Sequence, residues 1–130
     1  MKKKVIKKPT KKRVKKPSLP KLMKKADKVF SEWIRNRDNH QCVVCGSTYI
    51  VQNGHLIARG KKATRFDEKN CNAQCSSCNY KHNFEPQHYT SWFIKKYGEQ
   101  EYLNLVELSK TIKKFNRYEL EELIERYKRV

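Results

Sequence analysis

The sequence has 130 residues, enough for one domain, and its 31 Lys and Arg side chains against 13 Asp and Glu give a formal net charge of +18. Residues 1–25 hold 13 basic side chains and no acidic one, whereas residues 26–130 hold 18 basic against all 13 acidic, a net of +5. This balance argues against a freely soluble metabolic enzyme and for a polyanionic partner, because clustered cations concentrate phosphate backbones around them.

Residues 1–20, rich in Lys and Arg and holding Pro9, Pro17 and Pro20, contain almost nothing that could enter a core. A disordered tail over 1–18 is expected there. From Leu22 the apolar positions Leu22, Ala26, Val29, Phe30, Trp33 and Ile34 fall at spacings of three and four, which predicts a helix over 19–38. Its polar face carries Lys21, Lys24, Lys25, Lys28 and Arg35.

Residues 40–85 hold all five cysteines and three of the four histidines. Cys45-Gly46 and Asn53-Gly54 read as tight turns, with Tyr49, Ile50 and Val51 between them as a short strand. Beyond Pro86 the spacing of Tyr89, Phe93 and Tyr97 predicts a helix that ends at Gly98. A further helix is expected over 99–114, with Tyr102, Leu105, Val106, Leu108 and Ile112 on its apolar side. A last one starts at Asn116, which can cap it with Glu119 three residues on, and presents Leu120, Leu123, Ile124 and Tyr127.

No stretch approaches the roughly 20 apolar residues of a membrane span, and no apolar run follows the basic start as a secretory signal requires. A reducing, cytoplasmic setting is the expectation. Five cysteines in that setting favour a metal site or catalysis over disulfides.

Cys42-Val43-Val44-Cys45 and Cys75-Ser76-Ser77-Cys78 are two C-x-x-C pairs. Each pair brings two thiolates to one ion, so Cys42, Cys45, Cys75 and Cys78 together form a candidate structural zinc site. The gap between the pairs exceeds that of a simple zinc ribbon, so something folded is expected between them. Cys71 lies outside both pairs and reads as a packing residue.

Within the gap, Gly54-His55 is followed by Asn70 and then by Asn79 directly after the last cysteine. This is the arrangement of the HNH, or ββα-metal, nuclease motif. The chain also resembles the NinG (Rap) family of lambdoid phages over about residues 22–97. The resemblance is carried by Ala26-x-x-Val29-Phe30-Ser31-x-x-Ile34-Arg35-x-Arg37-Asp38, by Gly54-His55, by Ala63-Thr64-Arg65-Phe66-Asp67-Glu68-x-Asn70 and by Gln74-Cys75-x-x-Cys78-Asn79.

The resemblance implies a structure-specific endonuclease that cuts Holliday junctions, D-loops and other branched DNA in phage recombination, using magnesium or manganese. Such a protein would work in the host cytoplasm if phage-encoded. His55 is then the general base, since neutral imidazole is available near pH 7. Asn70 is expected to orient the His55 loop, and Asn79 stands where many HNH enzymes place a metal-binding histidine. Its side-chain carbonyl is a hard donor suited to magnesium. His82 and Asn83 are candidates to complete that shell, with Glu85 and Asp67 behind them. An alternative makes His55 itself a metal ligand. Arg59, Lys61, Lys62 and Arg65 are expected to contact phosphates. His40 reads as an exposed connector and His88 as a surface residue.

The sequence departs from the motif at Gly54, where many HNH enzymes have Asp or His, and at Gln52, where NinG relatives carry Asp. These readings give an α+β fold. A zinc-stapled ββα-metal (HNH, treble-clef-like) core at about 40–85 is flanked by an N-terminal helix and C-terminal helices in one domain over 19–130, preceded by a DNA-binding tail. Symmetric cutting of a four-way junction needs two sites related by a twofold axis, hence a homodimer. The competing readings are an HNH nicking or restriction-type nuclease on duplex DNA and a non-catalytic zinc-knuckle DNA-binding module.

Overall fold

Ser18 opens the first helix by accepting a hydrogen bond from the Lys21 amide, with Pro20 in the first turn where no donor is lost. Helix α1 (Leu19–Arg37) buries Leu22, Ala26, Phe30 and Ile34, each one turn after the last, and leaves Lys21, Lys24, Lys25 and Lys28 exposed. The computed structural model describes residues 15–128, so most of the tail expected at 1–18 lies outside the described residues.

Strand β1 (Val51–His55) pairs antiparallel with β2 (Cys71–Cys75), in a register that sets Val51 opposite Cys75 and His55 opposite Cys71. A 3-10 turn (Lys62–Thr64) lies in the loop between them, and α2 (Ser76–Lys81) follows β2 without a connection. Three longer helices complete the chain: α3 (Gln87–Tyr97), α4 (Glu99–Ser109) and α5 (Arg117–Lys128). The result is the mixed α+β architecture expected, with five helices and a two-stranded sheet among the described residues.

Helix α1 is the hub. Leu22 and Ala26 pack with Leu120 and Ile124 of α5, while Phe30 and Ile34 pack with Tyr127 of α5 and Cys71 of β2. On the other side of the sheet, Leu56 packs with Tyr89 and Phe93 of α3 and Leu105 of α4. Full burial of side chains this size contributes about 1.5–3 kcal/mol each, so the short sheet is held from both sides by helices. Arg37 ties α1 to β2 through the carbonyls of Glu68 and Cys71 and the Asn72 side chain, while Asp38 accepts from the Ala73 amide at 2.8 Å.

Three expectations are corrected. The strand read at Tyr49–Val51 begins at Val51. Ile50 has φ of +44°, which turns the chain so that its carbonyl accepts from the Ser76 amide at 2.9 Å, and Tyr49 and Ile50 are exposed. Asn53-Gly54, read as a turn, lies inside β1. Helix α4 stops at Ser109, five residues short of the expected end, because the Lys110 and Thr111 amides close on Glu107 and Leu108; Ile112 is 95% exposed. The Gly98 terminus and the Asn116–Glu119 cap are present, with Asn116 and Glu119 each accepting from the other's backbone amide.

Candidate functional site

The two C-x-x-C loops meet. Each places the amide three residues past its first cysteine within reach of that cysteine's sulfur: Cys45 N to Cys42 Sγ is 3.5 Å and Cys78 N to Cys75 Sγ is 3.4 Å. The sulfurs of Cys42, Cys45, Cys75 and Cys78 all lie within 4.8 Å of one another, and Cys45 and Cys75 are 3.6 Å apart. Zinc–sulfur bonds of about 2.3 Å at tetrahedral angles separate sulfurs by roughly 3.8 Å, so four thiolates so grouped can hold a metal ion, consistent with structural zinc. Cys71 is outside this group, fully buried against Phe30 and Ile34, and burial pushes its thiol pKa up.

The cluster anchors the sheet whose end carries His55. Beside it runs a cleft of about 510 Å³, walled by α1 on one side and α2 on the other. Its lining brings together His55, Arg59, Asn79, His82 and Asn83 from the candidates above, and adds Asp27 and Asn53. Lys61 and Lys62 are exposed and stand outside that lining.

His55 is held by a hydrogen bond from Nε2 to the Arg65 carbonyl at 3.0 Å. A carbonyl only accepts, so Nε2 carries the proton and the neutral ring keeps its lone pair on Nδ1. Burial lowers the pKa of His55, and the charges of Arg59 and Arg65 lower it further against the raising influence of the Arg65 carbonyl and Asp27. The ring is therefore biased to its neutral, basic form.

Asn70 is fully buried and secures the loop after His55. Its Oδ1 accepts from the Ile57 amide at 2.8 Å, and its Nδ2 donates to the carbonyls of Ile57 and Thr64. Asp67 accepts from the Lys69 and Asn70 amides and so closes the turn before β2, away from the cleft lining. Arg65 directs its guanidinium at Asp27 in a two-pronged pair, so this candidate phosphate contact is already engaged with a carboxylate on α1.

On α2, Asn79 donates to Gln52 Oε1 at 2.9 Å. His82 donates from Nε2 to the Leu56 carbonyl at 2.7 Å, which leaves its Nδ1 a buried acceptor without a protein partner. Asn53 Oδ1 is in the same condition. Glu85 faces His88 at 3.4 Å, and His40 is exposed and bonded to Asn36.

Gly54 has a tertiary cause. A Cβ there would lie 2.0 Å from Gln74 Oε1 and 2.8 Å from its Cγ, so the buried Gln74 side chain occupies the space that an acid before His55 would need. The Gly54 carbonyl in turn accepts from Tyr89 at 2.7 Å, and Asn72 donates to the Tyr89 oxygen at 3.0 Å.

Sequence reasoning missed Asp27, Asn53, Asn72 and Tyr89. Asp27 did leave a signal, as the first acid after 26 residues without one. The others leave none, because their roles depend on partners far along the chain.

A two-stranded sheet and short helix joined by four clustered cysteines able to hold a metal ion, with a histidine set in a cleft beside them, define a small α+β protein with a candidate zinc site. The family model for the bacteriophage lambda NinG protein matches residues 1–130, and the chain belongs to that family. No curated protein and no solved structure is matched by the chain. No helix among the described residues is long and apolar enough to cross a membrane.

Proposed function

We propose that the chain is an HNH-type, metal-dependent endonuclease that cuts branched DNA, including Holliday junctions and D-loops, in phage recombination. The observation that carries this reading is the convergence of His55, Asn79, His82, Asn83 and Arg59 on one cleft, with the His55 tautomer set by the Arg65 carbonyl.

Phosphodiester hydrolysis requires a base for water, a positive charge near the phosphoryl oxygens and a rigid arrangement of both. His55 takes the proton of the attacking water at Nδ1. Arg59 neutralises phosphate charge at the cleft wall, and Asn70 keeps the 56–64 loop in place. Asn79, His82 and Asn83 are the residues that would hold magnesium or manganese. The side-chain oxygens of Asn79 and Asn83 are hard donors of the kind a divalent cation takes, and His82 Nδ1 is an acceptor without a protein partner beside them. Such an ion supplies Lewis-acid stabilisation of the developing charge.

DNA is the partner, the active form is a homodimer, and the Lys-rich residues 1–18 add sequence-independent attraction that weakens with salt. The test is cleavage of a four-way junction and of its arms as linear duplex, with magnesium or manganese, by wild type and His55→Ala. Preferential junction cutting that His55→Ala abolishes is the expected result. Equal cutting of duplex would make this a general nicking nuclease. Cutting that survives His55→Ala, or no cutting with either ion, overturns the catalytic reading.

A further inference from the structure

A second groove, of about 500 Å³, opens on the other flank of α2 and is lined by Gln52, Ser76, Asn79, Tyr80 and Asn83. Asn79 and Asn83 also line the His55 cleft, so the groove continues the cleft across a shared rim. Tyr80 follows Ser76 by one turn of α2, and Phe84 lies just beyond the groove's lining in the turn that follows the helix. Both rings are 66% exposed, and they meet edge to face with centroids 5.1 Å apart. Neither belongs to the three buried clusters of the fold. Ile50, 54% exposed, sits at the opposite end, where its carbonyl bonds the Ser76 amide.

We propose that this groove receives an unpaired base of the DNA strand whose phosphate occupies the His55 cleft. The proposal rests on the nuclease reading and adds the feature of the DNA that is recognised. Three chemistries converge. Exposed aromatic faces stack on any base. The side-chain NH2 groups of Gln52 and Asn83 can donate to a base edge, and the Asn79–Gln52 hydrogen bond fixes the rim beside them. No carboxylate lines the groove, and the chain carries a net charge of +18, so a polyanion approaches without opposition. An apolar peptide would cover the rings and leave the amides unpaired, at a cost for every one buried. A base inside a duplex has both faces stacked and its pairing edge occupied, so the groove selects DNA with unstacked bases beside the cut.

The test is binding in buffer with neither magnesium, manganese nor chelator, so that structural zinc is kept and cleavage plays no part, to a forked duplex bearing 2-aminopurine at its first unpaired position and to the same sequence fully paired. Wild type should quench the 2-aminopurine fluorescence and prefer the fork. Tyr80→Ala with Phe84→Ala should lower fork affinity about tenfold and remove the quenching while leaving duplex affinity unchanged; Tyr80→Phe, which keeps the ring, should behave as wild type. Equal losses on both DNAs, or no loss on either, overturns the proposal. So does a shift from dimer to monomer in the double variant with the quenching retained, which would make the groove a contact between two copies. Fork preference and quenching measured here stand apart from the cleavage assay, so an inactive protein that still discriminates the fork would refute the nuclease reading and keep the groove.

Discussion

Arg65 holds His55 with its backbone and Asp27 with its side chain: the carbonyl accepts from His55 Nε2 at 3.0 Å while the guanidinium grips the Asp27 carboxylate. One residue of the loop thereby fixes the candidate base and fastens the loop to α1. The backbone bond decides which imidazole nitrogen is basic.

Burial first, and then the Arg59 charge, keep the His55 pKa below its ordinary 6.5. An NMR titration of metal-free protein should place the His55 midpoint below that value. The sign for stability follows. The unfolded chain takes up protons at His55 once the pH falls below about 6.5, before the folded protein does, so folding stability is complete above that pH and declines as the pH drops towards the folded midpoint. His55→Gln should reduce that decline in urea titrations run between neutral and acid pH. A midpoint at or above 6.5 would contradict the assigned environment.

Asn70 satisfies one amide and two carbonyls of the loop that follows His55. Asn70→Ala orphans these groups, each costing about 1–3 kcal/mol where water cannot replace the bond. A loss of about 2 kcal/mol or more in chemical denaturation is expected. Hydrogen exchange should show reduced protection over residues 56–64 before any change in α1 or α5, whose packing does not involve Asn70. A loop as protected as in the wild type would show that other contacts hold it.

Gly54 and Gln74 should be energetically coupled. The Cβ of Gly54→Ala would overlap the Gln74 side chain, and overpacking of this kind typically costs about 1–3 kcal/mol. In a Gln74→Ala background the same substitution should cost much less, because the obstruction is gone. A double-mutant cycle in urea measures this directly. Additive costs would mean that glycine is needed for its backbone alone.

The four cysteines outside the core cluster should hold one zinc per chain by elemental analysis, with binding worth about 10–16 kcal/mol of apparent folding free energy. Cys75→Ser should abolish stoichiometric zinc and unfold the sheet with α2, as should a strong chelator. Cys71→Ala is the contrast, leaving zinc content unchanged and lowering stability modestly through a small cavity beside Phe30 and Ile34. Zinc lost from Cys71→Ala would place that thiol in the metal shell.

Helix α1, the Gly98 terminus and the Asn116 cap were legible because each is written in residues that are neighbours along the chain, and the grouping of four cysteines because each C-x-x-C pair is a local signature of one ion. The apolar period of Leu22, Ala26, Phe30 and Ile34 needs only helical geometry to become a buried face. The misread elements were those in which a distant partner overruled a local signal. Asn53-Gly54 carries the composition of a turn, yet Gly54 is demanded by Gln74 across the sheet. Ile112 continues a helical period past a terminus set by backbone closure at Lys110 and Thr111.

The sequence by itself determined the family resemblance, the cysteine quartet and His55, Asn70 and Asn79 as the residues to examine, because motif spacing is a property of the chain. Tertiary structure alone decided that Asp27 neutralises Arg65, that the Arg65 carbonyl leaves Nδ1 of His55 as the basic atom, and that Asn79 is turned towards Gln52. These pairings join residues 10 to 38 positions apart. A hydrogen bond depends on ångström-scale distance and direction, and nothing in the order of residues encodes either until the helices have packed around the sheet.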